Sequence, residues 1–225
     1  MVEEASAREG VQPRFINGLR YTDSDTIRVV DRVLHEVVNA SLVNFLRRDL
    51  HVDSTPVSGK NILRCQKIGT VDEATGKELD LGFVGKVVNV DTPQIQWILA
   101  RHQIPVITPL ASDQVGGVYN INADMAACEI AAELKVRKLV FLSDVPGVLR
   151  NPEDPFSLIS SIHCDEVEEL VHSGVIRGGM IPKIRSACEA VRAGVGQVHM
   201  IDGRLRHSLL LEIFTRKGVG TQILP

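Results

Sequence analysis

With 225 residues, 44% of them hydrophobic, and a formal net charge of −3, the chain can bury one sizeable core. Lys and Arg are scattered rather than gathered in a basic stripe, which argues against nucleic acid as a partner and leaves small anionic ligands, held by local fields. No apolar run approaches the roughly 18 residues of a membrane-spanning helix, and the charged start MVEEASAREG does not read as a signal peptide. Cys65, Cys128, Cys164 and Cys188 form no C-x-x-C pair, so reduced thiols and a cytoplasmic location are expected.

In chain order, residues 1–9 read as a helix fragment stopped by Gly10, and RFIN as a short extended piece. YTDSDTIRVVDRVLHEVVNASLVNFLRRD then places Ile27, Val30, Val33, Leu34, Val37 and Val38 at helical spacing, with Thr22 and Asp25 as a variant capping box. One long helix, or two joined near Asn39, is predicted. From Ile62 to Val90 the period changes to two around a polar turn, which predicts a β-hairpin projecting as a lid over a site. A helix over about 92–101 follows, then IPVITPL and KLVFLSDV, two apolar runs suited to a buried parallel sheet, with ADMAACEIAAEL as a helix between them. Helices over 165–173 and 182–193, the strand QVHMI and a last helix over 206–214 complete the chain. This alternation is the pattern of a mostly parallel sheet covered by helices.

Several short motifs fail as signatures. HEVVN at 35–39 lacks the second histidine of a zinc helix and reads as an exposed face, so no metal site is predicted. SGK at 58–60 lacks the upstream glycine and the final hydroxyl of a P-loop and reads as a turn, although a lysine near phosphates stays open. No G-x-G-x-x-G follows a strand, so a dinucleotide site has no support.

Two stretches carry more. In YNINADMAACEIAAEL, Asn120, Asn122 and Asp124 crowd the start of a helix, where they can face a ligand; Asn122 as a plain N-cap and Asp124 as a complement to the dipole is an equal reading. In SGVIRGGMIPKIRSACEAVRAG, Lys183 sits at a helix end whose dipole repels cations. A cation there makes sense if an anion lies between: Gly178 and Gly179 let backbone N–H groups converge, Pro182 suits the first turn, and Lys183 adds positive charge beside phosphate oxygens. The plain alternative is a solvated lysine after a glycine turn.

NGLRYTD, DLGFVG, NINAD, LSDVPGVL, GGMIPK and HSLLLEIFTRKGVGTQI, read together over about 15–224, resemble the acetylglutamate kinases of the amino acid kinase family, in that family's order and spacing. The resemblance implies phosphorylation of the γ-carboxylate of N-acetyl-L-glutamate by MgATP, a step of arginine biosynthesis. It also implies an open three-layer αβα sandwich with a hairpin lid. The chain would be a single domain: an acetylglutamate-binding half over 1–110 and a nucleotide-binding half over 111–225. The resemblance assigns Arg20 to the substrate α-carboxylate, Asn120 to the same substrate, Asp124 to the orientation of catalytic lysines and Lys183 to the transferring phosphoryl group. It assigns Ser143, Asp144 and Gly147, with Val175, Ile176 and Arg177, to the nucleotide.

Phosphoryl transfer between a carboxylate and ATP needs two anions held in line and spreading charge neutralised, so no Ser-His-Asp or Cys-His set is required. The similarity starts after the family's first strand–loop units: its K-x-G-G and H-G-G-G turns have no counterpart, which predicts nucleotide affinity without measurable turnover. The C-terminal run resembles the arginine-inhibited branch, in which His199, Glu212 and Gly218 would surround the effector and the protein is a homo-oligomer. On the residues alone, Glu212 reads as a solvated carboxylate on an amphipathic helix. A non-catalytic arginine- or nucleotide-binding subunit and another amino acid kinase, such as carbamate kinase, are the alternatives.

Overall fold

A computed structural model describes residues 15–16, 19–71, 76, 78–215 and 218–225, which fall into two compact units, Met1–Ala126 and Ala127–Pro225. The helix expected over 1–9 and its stop at Gly10 lie outside the described residues.

In the first unit, β1 (Phe15–Ile16) pairs antiparallel with β2 (Leu19–Arg20). The following helix α1 (Ser24–Arg32) is capped by Asp23, whose carboxylate accepts from the Thr26 N–H at 2.8 Å. The expected Thr22–Asp25 box does not form, because Thr22 is fully buried and its backbone is bonded to the hairpin described next. A π-helical stretch, Val33–Asn39, joins α1 to α2 (Ala40–Arg48), which is the predicted junction at Asn39. The wider π turns shift the phase of the apolar stripe. Val37, expected inside, is therefore exposed, while Asn39 is buried and donates its amide to the Val106 carbonyl at 2.7 Å.

β3 (Ser54–Val57) runs parallel to β6 (Ile104–Ile107), Ser54 opposite Ile104. A single turn, α3 (Gly59–Ile62), leads into the hairpin β4 (Leu63–Val71) and β5 (Glu78–Val90), with Leu63 opposite Val90 and Val71 opposite Glu78. α4 (Pro93–Ala100) connects it to β6. The base of the hairpin is not free: β4 pairs with β7 (Leu110–Ser112), β5 with β8 (Val118–Asn120), and β7 with β8, closing a small ring. Leu63, Leu81, Val84 and Leu110 of these strands are buried, Leu110 against Ile27 and Val30 of α1, each contributing about 1.5–3 kcal/mol by leaving water.

α5 (Ala123–Glu133) precedes the four-stranded sheet of the second unit. Its order is β10-β12-β11-β9, made of β9 (Leu139–Ser143), β10 (Ser161–His163), β11 (Val198–Asp202) and β12 (Thr221–Leu224). β11 lies parallel to β9 and antiparallel to β12, and β12 parallel to β10. The period of two divides β11: Val198 and Met200 enter the main core with Ile184, Ala187 and Val191 of α7 (Met180–Arg192), while His199 faces α8 (Ser208–Phe214). Helices thus cover both faces of this sheet, and α6 (Val167–His172) adds Val167 to the core. All four cysteines are buried free thiols, and burial, aided by the Asp113 charge, pushes Cys65 up to about 11.

Candidate active site

In the first unit the NGLRYTD and DLGFVG segments meet through their backbones. The Thr22 N–H donates to the Leu81 carbonyl at 2.9 Å and the Phe83 N–H donates to the Thr22 carbonyl at 2.6 Å. This approach requires glycine between them: Gly82 has φ +74°, and a Cβ there would lie 2.1 Å from the Thr22 carbonyl oxygen. Gly82 is in turn fixed by its N–H, which donates to Asp80 at 2.8 Å. That bond, after the one from Lys67, holds the Asp80 carboxyl below its ordinary value. The next contact along β5 pairs Val84 with Asn120, and the Asn120 amide donates to the Thr22 hydroxyl at 3.4 Å. Asn120, half-buried at the end of β8, is therefore placed by Val84 and by Thr22, the latter 98 residues away in sequence. The Arg20 backbone lies in β2; the role expected of its side chain lies outside the described residues.

Asn122 caps α5, its side-chain oxygen accepting from the Asp124 and Met125 N–H groups at 3.0 and 3.2 Å. The N-cap reading of Asn122 is thus observed. Asp124 is half-buried in the first turn, where the helix dipole favours a carboxylate. SGK is not a plain turn but opens the short helix α3, with Lys60 paired to Asp31 at 2.8 Å, and His35 and Glu36 of HEVVN are exposed.

In the second unit Lys183 occupies the first turn of α7, half-buried, with its ammonium 5.8 Å from the centre of the Phe141 ring. The ring face offsets part of the repulsion from the helix end, on the order of 0.5–1 kcal/mol. Of the two glycines before it, only Gly178 has a left-handed φ, +57°; a Cβ at either position would meet nothing within 4 Å, so the approach to the helix end is open. Ser143 ends β9 and Asp144 follows it, at the carboxyl side where α/β sheets take ligands. Gly147 is buried, and its missing Cβ makes room for Thr221, whose hydroxyl accepts from the Val148 N–H at 2.9 Å. Ile176 belongs to the core and Val175 packs on it, which leaves their backbone rather than their side chains for a nucleotide; Arg177 is exposed.

The same unit brings His199, Glu212 and Gly218 together at a polar cavity of about 480 Å³, with Lys138, Gln197 and Gln222 among its walls. The Glu212 side chain is 6% exposed. Its Oε1 faces His199 Nδ1 at 2.6 Å, and its Oε2 accepts from the Val219 and Gly220 N–H groups at 2.7 and 3.1 Å. Burial alone would raise this carboxyl, but the Val219 N–H, the His199 ring and the Gly220 N–H outweigh it and hold it below the ordinary range. Gly218, at φ +64°, closes the turn, and a Cβ on it would lie 2.7 Å from Glu212 Oε2. The sequence reasoning missed Thr22 and Gly82. Their signal was the paired glycine and threonine in two separate motifs, but contact between the motifs is a tertiary fact.

The sequence profile of the amino acid kinase family matches residues 1–202. The chain belongs to the amino acid kinase family. This amino acid kinase is 46% identical over 229 residues to the acetylglutamate kinase of Heliobacterium modesticaldum, covering 96% of the chain and 75% of that relative. It is 41% identical to that of Archaeoglobus fulgidus, covering 100% of the chain and 78% of that relative. Among solved structures it superposes on N-acetylglutamate synthase from Neisseria gonorrhoeae complexed with coenzyme A and N-acetyl-glutamate, with a TM-score of 0.80, 27% identity, and 100% and 49% coverage of the two chains. For the same synthase complexed with coenzyme A and L-arginine the TM-score is 0.74 at 26% identity, covering 99% and 51%. Among the described residues of this kinase no helix is long and apolar enough to cross a membrane.

Proposed function

We propose that this chain transfers the γ-phosphoryl group of ATP to the γ-carboxylate of N-acetyl-L-glutamate, yielding N-acetylglutamyl 5-phosphate and ADP, in place of the nucleotide binding without turnover expected from the sequence. The carrying observation is identity of 41–46% to acetylglutamate kinases over nearly the whole chain. In this reading Asn120 and Arg20 hold the acceptor, Arg20 gripping a carboxylate bidentately as a lysine could not. Lys183 supplies charge to the transferring phosphoryl group, and Asp124 sets the orientation of catalytic cations. The nucleotide is taken by Ser143, Asp144 and Gly147 and by the backbone of Val175, Ile176 and Arg177. Magnesium enters as part of the MgATP substrate.

Arginine is the proposed inhibitor, at the cavity of His199, Glu212 and Gly218. The chemistry supports it: a buried carboxylate held anionic is a partner for a guanidinium, and the structural neighbour solved with L-arginine is consistent with it. The protein works in the cytoplasm as a homo-oligomer. Calorimetry should show separate binding of N-acetylglutamate and MgATP, ADP release should depend on N-acetylglutamate, and arginine should raise the thermal midpoint by mass action. Binding of carbamate in place of N-acetylglutamate would overturn the substrate reading, and a midpoint indifferent to millimolar arginine would overturn the effector site.

A further inference from the structure

We infer that Thr22 is a positioning residue for the acceptor site, its hydroxyl holding the Asn120 amide while its backbone clamps the hairpin strand β5. The inference rests on the reading of Asn120 as a ligand of N-acetylglutamate. Thr22 is fully buried, two residues after Arg20. Its hydroxyl accepts from the Asn120 amide at 3.4 Å, and its N–H and carbonyl bond Leu81 and Phe83 on either side of Gly82. One residue thus ties together three parts assigned to the acceptor: the β2 turn, the hairpin and the end of β8. The backbone bonds would survive any side chain that fits, so they explain a β-branched residue of this size but not its hydroxyl. The hydroxyl has a specific use. Asn120 is half-buried at a strand end, and an amide able to turn about its last torsion presents oxygen or nitrogen almost equally well. The amide nitrogen lies on the Thr22 side, and because the hydroxyl can donate as well as accept, the bond restrains the plane of the amide while its oxygen is left as the acceptor for a ligand. A substrate amide N–H, such as that of the acetamido group, is the donor that this oxygen would accept from.

Thr22→Val keeps the shape and the backbone clamp and removes only the hydroxyl; Thr22→Ser keeps the hydroxyl and removes a buried methyl. The Kd for N-acetylglutamate should rise about three- to tenfold in Thr22→Val, the size of one lost neutral hydrogen bond, while the Kd for MgATP stays unchanged. Thr22→Ser should keep the wild-type Kd despite a lower thermal midpoint, and Thr22→Val added to Asn120→Ala should cost nothing more. A purely structural threonine predicts the reverse order, with Thr22→Ser the worse variant. An unchanged acetylglutamate Kd in Thr22→Val, or a raised one in Thr22→Ser, overturns the inference; the Thr22→Ser result decides it even if Thr22→Val does not fold. A wild-type chain that does not bind N-acetylglutamate, or an Asn120→Ala variant that binds it normally, overturns the substrate reading itself.

Discussion

Replacing Glu212 by glutamine changes a single buried atom type, and its cost follows from the contacts. The carboxylate accepts from two backbone N–H groups through Oε2 and faces His199 through Oε1. A glutamine can keep its oxygen on Val219 and Gly220, and its amide can donate to His199 Nδ1 if the ring carries its proton on Nε2, which lies 3.1 Å from the Gln197 oxygen. The geometry survives, but three charge-assisted bonds become neutral ones. Each conversion weakens a bond by about half, and because the three share one carboxylate the total is about 2 kcal/mol rather than a sum. For a chain of this length that is a fall of about 4–8 °C in Tm. The folded carboxyl is held below its unfolded value, so its contribution is complete above the unfolded pKa, about 4.3, and is lost as pH falls through the folded one. The wild-type advantage over Glu212→Gln should therefore be constant from neutral pH to about pH 5 and shrink below it. Urea unfolding at a series of pH values measures both. Equal stability at pH 7, or an advantage that persists undiminished into strong acid, would refute the charge-based account of this turn.

Gly82→Ala should destabilise by about 2–4 kcal/mol, combining the left-handed φ with a Cβ driven into Thr22 backbone, and should weaken N-acetylglutamate more than MgATP; thermal melts and calorimetry check the two parts. Lys183→Ala should leave the affinity for MgADP nearly unchanged while weakening the MgADP–aluminium fluoride complex, a mimic of the transferring phosphoryl group, by about 10²–10³-fold. Equal affinity of wild type and variant for that mimic would return Lys183 to a lysine packed over Phe141.

Where local pattern and tertiary need coincide, the elements were legible. ADMAACEIAAEL forms α5 with Asn122 as its cap, and the period-two runs around residues 63–90 form the hairpin. The short strands β3, β10 and β12 escaped. STPV carries a proline, and SIH and TQIL are too brief and polar for a periodic signal; they are strands because β6 pairs with β3, β11 with β12, and β12 in turn with β10. The long helix was read correctly up to the π stretch, which only packing reveals: it exchanges Val37 for Asn39 on the buried side, and Asn39 finds the Val106 carbonyl there.

Composition, periodicity and six ordered motifs were enough for an α/β kinase and for its candidate residues, because those signals are local and the chemistry at each motif needs particular residue types. Contact between motifs lay beyond them. On its helix Glu212 looked like a solvated carboxylate, and it is buried because the turn at Gly218 folds two N–H groups onto it and β11 sets His199 against it. Thr22 looked like part of a helix cap, and it is a clamp because Gly82 lets β5 come within bonding distance of its backbone. Such contacts join residues distant in sequence, and their energies depend on burial and on directions in space that no one-dimensional spacing records.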